Sequence, residues 1–189
     1  LSLNGIEIVN LRHDRERERR ERSAKVLADK RCREGYTFDE ANDKMFERNY
    51  FGMMMVETGD ADAFITGVYT KFSNTIKAAK EIIGIRKPYN HFATMNILNS
   101  KRGTYYIADT LVNPSPDKET LKDIAKLTAD TVNFFNDEPK IAMISYSNFG
   151  ADKNGSPRLM SEVVKELQNE YPDMKIDGEM TVDLALDHE

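Results

Sequence analysis

Asp109, Thr110 and Asn113 directly follow a β-branched and aromatic run, Thr104-Tyr105-Tyr106-Ile107-Ala108. A carboxylate, a hydroxyl and an amide so placed can hold a polar ligand, because ligands of open α/β sheets lie beyond the carboxyl ends of strands. The same residue types are ordinary turn formers, and locally the turn is the favoured reading. Ser145, Ser147 and Asn148 lie where the apolar run Lys140–Ser145 ends. Their loop offers N–H and O–H donors to a phosphate or a carbonyl oxygen, or it is a plain strand-to-helix turn. No histidine or acid at a useful spacing supports Ser145 or Ser147 as a nucleophile.

A third group is cationic. Lys30, Arg31 and Arg33 crowd the expected last turn of a helix. They either complement the helix dipole or clamp a phosphate, which arginine suits by its bidentate fork. Cys32 between them reads as a small buried residue. Lys77 falls in the first turn of an expected helix, Thr75–Ile83, capped by Ser73 or Asn74. A cation at that positive end is mismatched unless an anion sits there. His13, His91 and His188 are each isolated, so no metal site is expected.

The elements that would position these groups follow from periodicity and caps. Gly5–Val9 and Asp62–Thr66 read as strands, and Arg12 to Arg33 as a helix closed by Gly35. Its first eleven residues carry six arginines and four acids, a solvated face more than a basic ridge. Thr37 and Glu40 form a capping box, and the three methionines after Gly52 read as adaptable core. His91–Asn99 and Thr104–Asp109 read as strands around a Lys101-Arg102-Gly103 turn, with the second strand buried. Ser115-Pro116 and Ser156-Pro157 mark helix starts. The apolar stripe Leu121, Ile124, Ala125, Thr128, Val132, Phe135 follows the first of these. Met174–Asp177 is the last clear strand. Alternating strands and amphipathic helices argue for an α/β fold with a largely parallel sheet. A composition change near residue 87 divides subdomains 1–87 and 88–189.

The chain has 189 residues, 40% hydrophobic and 31% charged, with net charge -5. That is an ordinary globular composition whose field does not favour nucleic acid. The single cysteine fits a reducing cytoplasm, and no membrane span or signal peptide is expected. Beginning at Leu1 and stopping in an acidic stretch, it reads as a piece of something longer.

Five strings taken in order resemble one family. They are Asn49-Tyr50-Phe51-Gly52-Met53-Met54-Met55-Val56, Gly59-Asp60-Ala61-Asp62-Ala63, Ile107 through Pro114, Ile144 through Gly150, and Asp177-Gly178-Glu179-Met180. The chain is identified as a member of the phosphate acetyltransferase (phosphotransacetylase) family. Ser147-Asn148-Phe149-Gly150-Ala151 departs from the Ser-Thr-x-Gly-Ser of stand-alone enzymes. The run from Asn49 to Val56 is similar to the carboxy-terminal domain of large NADP-dependent malic enzymes. The resemblance implies three-layer α/β subdomains, one inserted in the other, with a cleft between them, here truncated at the carboxyl end. It implies CoA and acetyl phosphate in that cleft, contacted by Arg31, Arg33, Lys77, Asp109, Thr110, Asn113, Ser145, Ser147 and Asn148. Lys77 stands where the family has arginine. The family's Asp-Leu-Ser-Arg-Gly segment is not in this chain, so no catalytic residue carries over.

Three functions follow from the resemblance. The first is an acetyl-CoA-binding regulatory and oligomerisation domain of a malic enzyme, at least a dimer, with NADP and a divalent metal confined to an upstream domain. The second is part of a working phosphate acetyltransferase, and the third a purely structural dimerisation domain.

Overall fold

The computed structural model describes residues 4–187. They form two compact units, with the division between Gly84 and Ile85. His188 lies outside the described residues.

Helices make the first unit: α1 (Arg17–Arg31), α2 (Phe38–Lys44), α3 (Arg48–Glu57) and α4 (Phe72–Ile82). The Thr37 hydroxyl accepts from the Glu40 N–H and the Glu40 carboxylate accepts from the Thr37 N–H, so the capping box forms as expected. Leu27, Met45, Phe51, Met53, Met54 and Ile82 share one core, and the methionines are the core filler their flexibility suits. Gly52 leaves room for the Phe64 ring, which any Cβ there would overlap. The arginine-rich run is partly turned inward. Arg20 is buried, donates to the carbonyls of Leu11 (2.6 Å) and His13 (3.0 Å), and lies 4.8 Å from the Phe46 ring centroid. Arg19 donates to the buried Glu16 carboxylate at 2.6 Å.

The strands expected at Gly5–Val9 and Asp62–Thr66 do not form, and this unit has no strand among the described residues. Ile6, Ile8 and Ile65 are exposed, and no neighbouring strand is present among the described residues to accept their backbone bonds. β-propensity without a partner strand does not make a strand.

The second unit is mixed α/β, as expected. β1 (Met95–Ser100) and β2 (Gly103–Ala108) form an antiparallel hairpin, in register from Ser100 against Gly103 to Met95 against Ala108. β3 (Ile141–Ile144), α6 (Gly155–Glu170) and β4 (Ile176–Met180) form a parallel crossover unit. Among the described residues, parallel pairing is confined to β3 and β4. β2 is not the buried strand its composition implies, since Ile107 is exposed in a two-stranded sheet. α5 (Lys118–Phe134) starts at Asp117, whose carboxylate accepts from the Thr120 N–H at 2.9 Å, rather than at Ser115. Leu121, Ile124 and Ala125 of α5 pack with Val163, Val164 and Leu167 of α6 over Met143 and Ile176. Phe135, read as core, is exposed beyond the helix end. A short helix, α7 (Val182–Ala185), follows β4. Gly178 is required where it stands: its φ is +130°, and a Cβ would meet the Met143 carbonyl at 2.7 Å.

Candidate functional site

In the second unit, three polar groups sit at strand ends. Asp109 follows β2. Its Oδ1 accepts from the Thr94 N–H (2.8 Å) and hydroxyl (2.7 Å). Its Oδ2 accepts from the Asn113 N–H (2.6 Å), the Asn113 amide (2.7 Å) and the Val112 N–H (3.3 Å). The Thr94 and Thr110 hydroxyls lie 3.2 Å apart, and the Asn113 amide also donates to the Phe92 carbonyl at 3.0 Å. Asp109, Thr110 and Asn113 are thus brought together around Thr94. Burial works to raise the Asp109 carboxyl, but the donors of Thr94 and Asn113 outweigh it and hold it at about 2.

Ser145, Ser147 and Asn148 follow β3, and the structure ties them to the end of β4. The Ser145 N–H donates to the Met180 carbonyl at 2.8 Å. The Thr181 N–H donates to the Asn148 side-chain oxygen at 2.7 Å, and the Asp152 N–H to the buried Ser147 hydroxyl at 2.9 Å. Two of the three side chains therefore shape their own loop. The Ser145 hydroxyl oxygen is buried with no hydrogen-bond partner among the described residues.

Glu179, in β4, was not singled out from the sequence. It is 0% exposed. One carboxylate oxygen accepts from the Gly150 N–H, and the Glu179 carbonyl accepts from the Phe149 N–H at 2.9 Å. The other oxygen, Oε2, has no partner among the described residues. Beside it a cavity of about 410 Å3 opens along the first turns of α6, lined by Gly150, Lys153, Arg158, Ser161 and Lys165 with Glu179. Arg158 pairs with Glu162 at 2.9 Å, and Lys118 takes the other Glu162 oxygen at 3.1 Å. The one available signal was an acid inside a strand, between Gly178 and Met180, where a solvent-facing charge is not expected.

In the first unit, Arg31 is not free. Its guanidinium donates to the carbonyls of Glu81 (2.6 Å) and Lys80 (2.5 Å) at the end of α4, and to the Glu34 carboxylate (2.5 Å). Those carbonyls lie in the last turn, where a helix runs out of its own donors. Arg33 is exposed, with no ion pair among the described residues. Lys77 lies in the second turn of α4, because the helix begins at Phe72 rather than Thr75. The first-turn mismatch inferred for it therefore does not arise. Its ammonium lies 3.8 Å from Glu81. Glu81 also accepts from the Tyr36 (2.6 Å) and Tyr50 (2.5 Å) hydroxyls. Burial works to raise Glu81, but the two phenols with Lys77 and Lys44 hold it below its ordinary value, while Tyr36 is pushed up to about 12, first by burial.

The second unit is α/β, with polar groups at its strand ends, and the first is helical. Its whole length, residues 1–189, matches the phosphate acetyl/butaryl transferase family, and the chain belongs to that family. It is 37% identical over 155 residues to the NADP-dependent malic enzyme of Salmonella typhimurium, covering 82% of this chain and 20% of that protein. It is 30% identical over 149 residues to the phosphate acetyltransferase of Bacillus subtilis, covering 79% and 46%. The structure matches the EutD phosphotransacetylase from Staphylococcus aureus with a TM-score of 0.79 at 26% identity, covering 98% of this chain and 56% of that one. The α/β phosphotransacetylase-like fold expected from the five strings is the fold observed. The chain spans a fifth to about half of these relatives.

Proposed function

We infer that the chain is the phosphotransacetylase-like part of an NADP-dependent malic enzyme, binding acetyl-CoA as a regulator and helping subunits to assemble. The malate chemistry, with its NADP and divalent metal, belongs to an upstream domain in this reading. One observation carries it above the catalytic alternative: the side chains expected to meet substrate are bound to their own scaffold. Ser147 and Asn148 close their loop, Asp109 is saturated by Thr94 and its neighbours, and Arg31 ends α4. Preformed polar loops of this kind hold a ligand without supplying a nucleophile or a base. The identity to a malic enzyme points the same way. Within the first unit, Arg33 and Lys77 are the groups we assign to the phosphates of the CoA.

The test uses the full-length protein. Acetyl-CoA is titrated while malate-dependent NADP reduction is followed, and acetyl phosphate formation is assayed in parallel. A change in the reduction rate with no acetyl phosphate supports the regulatory reading. Acetyl phosphate formed at enzymatic rates supports the second reading, an active phosphate acetyltransferase, which the Bacillus subtilis relative favours. Neither binding nor a rate change leaves only the structural one.

A further inference from the structure

Glu81 raises a question of charge rather than of hydrogen bonding. It sits in the last turn of α4, the negative end of that helix, where an acid is mismatched. Its side chain is 16% exposed, so burial adds to the cost of keeping it ionised. One oxygen, Oε2, accepts from both the Tyr36 (2.6 Å) and Tyr50 (2.5 Å) hydroxyls. A neutral glutamine oxygen would accept the same two hydroxyls without either cost. The scaffold therefore accounts for the acceptor and leaves the charge unexplained.

What the charge meets is Lys77. The Lys77 ammonium lies 3.8 Å from Oε1, and Glu81 is the acid it pairs with among the described residues. The two side chains are unequally held. Lys77 is 63% exposed on a flexible four-carbon stem, whereas Glu81 is pinned by two phenols. The other cations of the cluster are engaged elsewhere. Arg31 donates to the Glu81 carbonyl and pairs with Glu34. Lys44 pairs with Glu47 at 2.8 Å and lies 4.9 Å from the Tyr50 ring centroid. An arriving phosphate must draw Lys77 away from Glu81, and it then meets a carboxylate that cannot turn aside. Both effects oppose its binding.

We propose that Glu81 is a fixed counter-ion that holds Lys77 in the absence of ligand and weakens its hold on a CoA phosphate, so that the site answers to abundant acetyl-CoA and not to traces of it. Tyr36 and Tyr50 are positioning residues: by occupying Oε2 they keep the carboxylate from closing on Lys77. The role of Glu81 rests on the assignment of Lys77 to the CoA phosphates in the acetyl-CoA reading. Its signature is a sign. Removing this acid should tighten binding, whereas damage to a binding site loosens it.

The experiment is calorimetric titration of the full-length protein with acetyl-CoA at low and high salt. Glu81→Gln should tighten binding about threefold at low salt, the scale of one exposed ion pair. The gain should shrink at high salt, where exposed charges are screened. Lys77→Ala should weaken binding, and adding Glu81→Gln to it should bring little gain, because no ammonium remains to be released. Tyr36→Phe should act in the opposite direction and loosen binding about twofold, by freeing the carboxylate to close on Lys77. An affinity unchanged or weakened by Glu81→Gln overturns the proposal. So does a gain as large without Lys77 as with it. If Glu81→Gln does not fold, Tyr36→Phe decides: loosening that requires Lys77 supports the counter-ion, and no loosening, or the same loosening without Lys77, overturns it. No binding of acetyl-CoA by the unaltered protein overturns the acetyl-CoA reading and the role of Glu81 with it. Binding that ignores Glu81 overturns the role of Glu81 alone.

Discussion

Asp109 and Glu179 are both carboxylates at the end of a strand in the second unit, and their surroundings could hardly differ more. Asp109 is surrounded by donors on both oxygens, from Thr94 on one side and from Val112 and Asn113 on the other. Glu179 is more deeply buried, yet has one donor on one oxygen and none on the other. A saturated carboxylate has no capacity left for a ligand, and its energy goes into fixing its loop. A half-satisfied one has kept an acceptor in reserve. Polar residue type at a strand end therefore says little about binding; the count of unmet hydrogen bonds says more.

The contrast breaks most visibly at Asp109. Asp109→Ala strands the N–H groups of Thr94, Val112 and Asn113 together, at about 3 kcal/mol by ordinary costs for unmet buried donors. Urea unfolding of the full-length protein should show that loss, and amide exchange should quicken at residues 94 and 110–113. An unchanged midpoint would make the loop dispensable. pH sharpens the same point. Asp109 is held at about 2, below its ordinary 3.8, so the unfolded chain takes up the proton more readily. Its stabilisation is complete above the ordinary value and is lost as pH falls from there toward about 2. Amide protection at residues 111–113 should fall across that window. Asp109→Asn should show no such fall.

Arg31 carries the lesson into the first unit at a smaller scale. Arg31→Ala removes donors from the last carbonyls of α4 and should cost about 2 kcal/mol. Arg31→Lys should recover only part, because an ammonium lacks the fork that reaches two carbonyls at once. If Arg31 served ligand charge alone, Lys would restore most of its function and Ala would leave stability unchanged.

How far the sequence could be read depends on how local the cause was. The helix starting at Phe38 was legible because Thr37 and Glu40 cap each other within one turn. The hairpin around Lys101-Arg102 and the α6 core positions were legible from period alone. What failed was non-local. Gly5–Val9 and Asp62–Thr66 have strand composition but no partner strand among the described residues. α4 begins three residues before Thr75, which moved Lys77 out of the first turn. The role of Arg31 depends on carbonyls about fifty positions away along the chain. Glu179 was quoted only as part of a family string, since nothing in neighbouring residues announces an acceptor left open by the fold.

The smallest stability effect belongs to Glu179 itself, and that is what distinguishes it. Glu179→Gln keeps an oxygen for the Gly150 N–H, preserves shape, and removes a charge that the described residues do not neutralise. The new amide N–H groups replace an oxygen that is itself buried. The gain from losing a buried charge and the cost of new donors nearly offset, leaving a shift within about 1 kcal/mol. A thermal melt of the full-length variant should therefore lie close to that of the parent. A melt shifted as far as that of Asp109→Ala would place Glu179 in the scaffold with Asp109. The two carboxylates would then differ in burial alone.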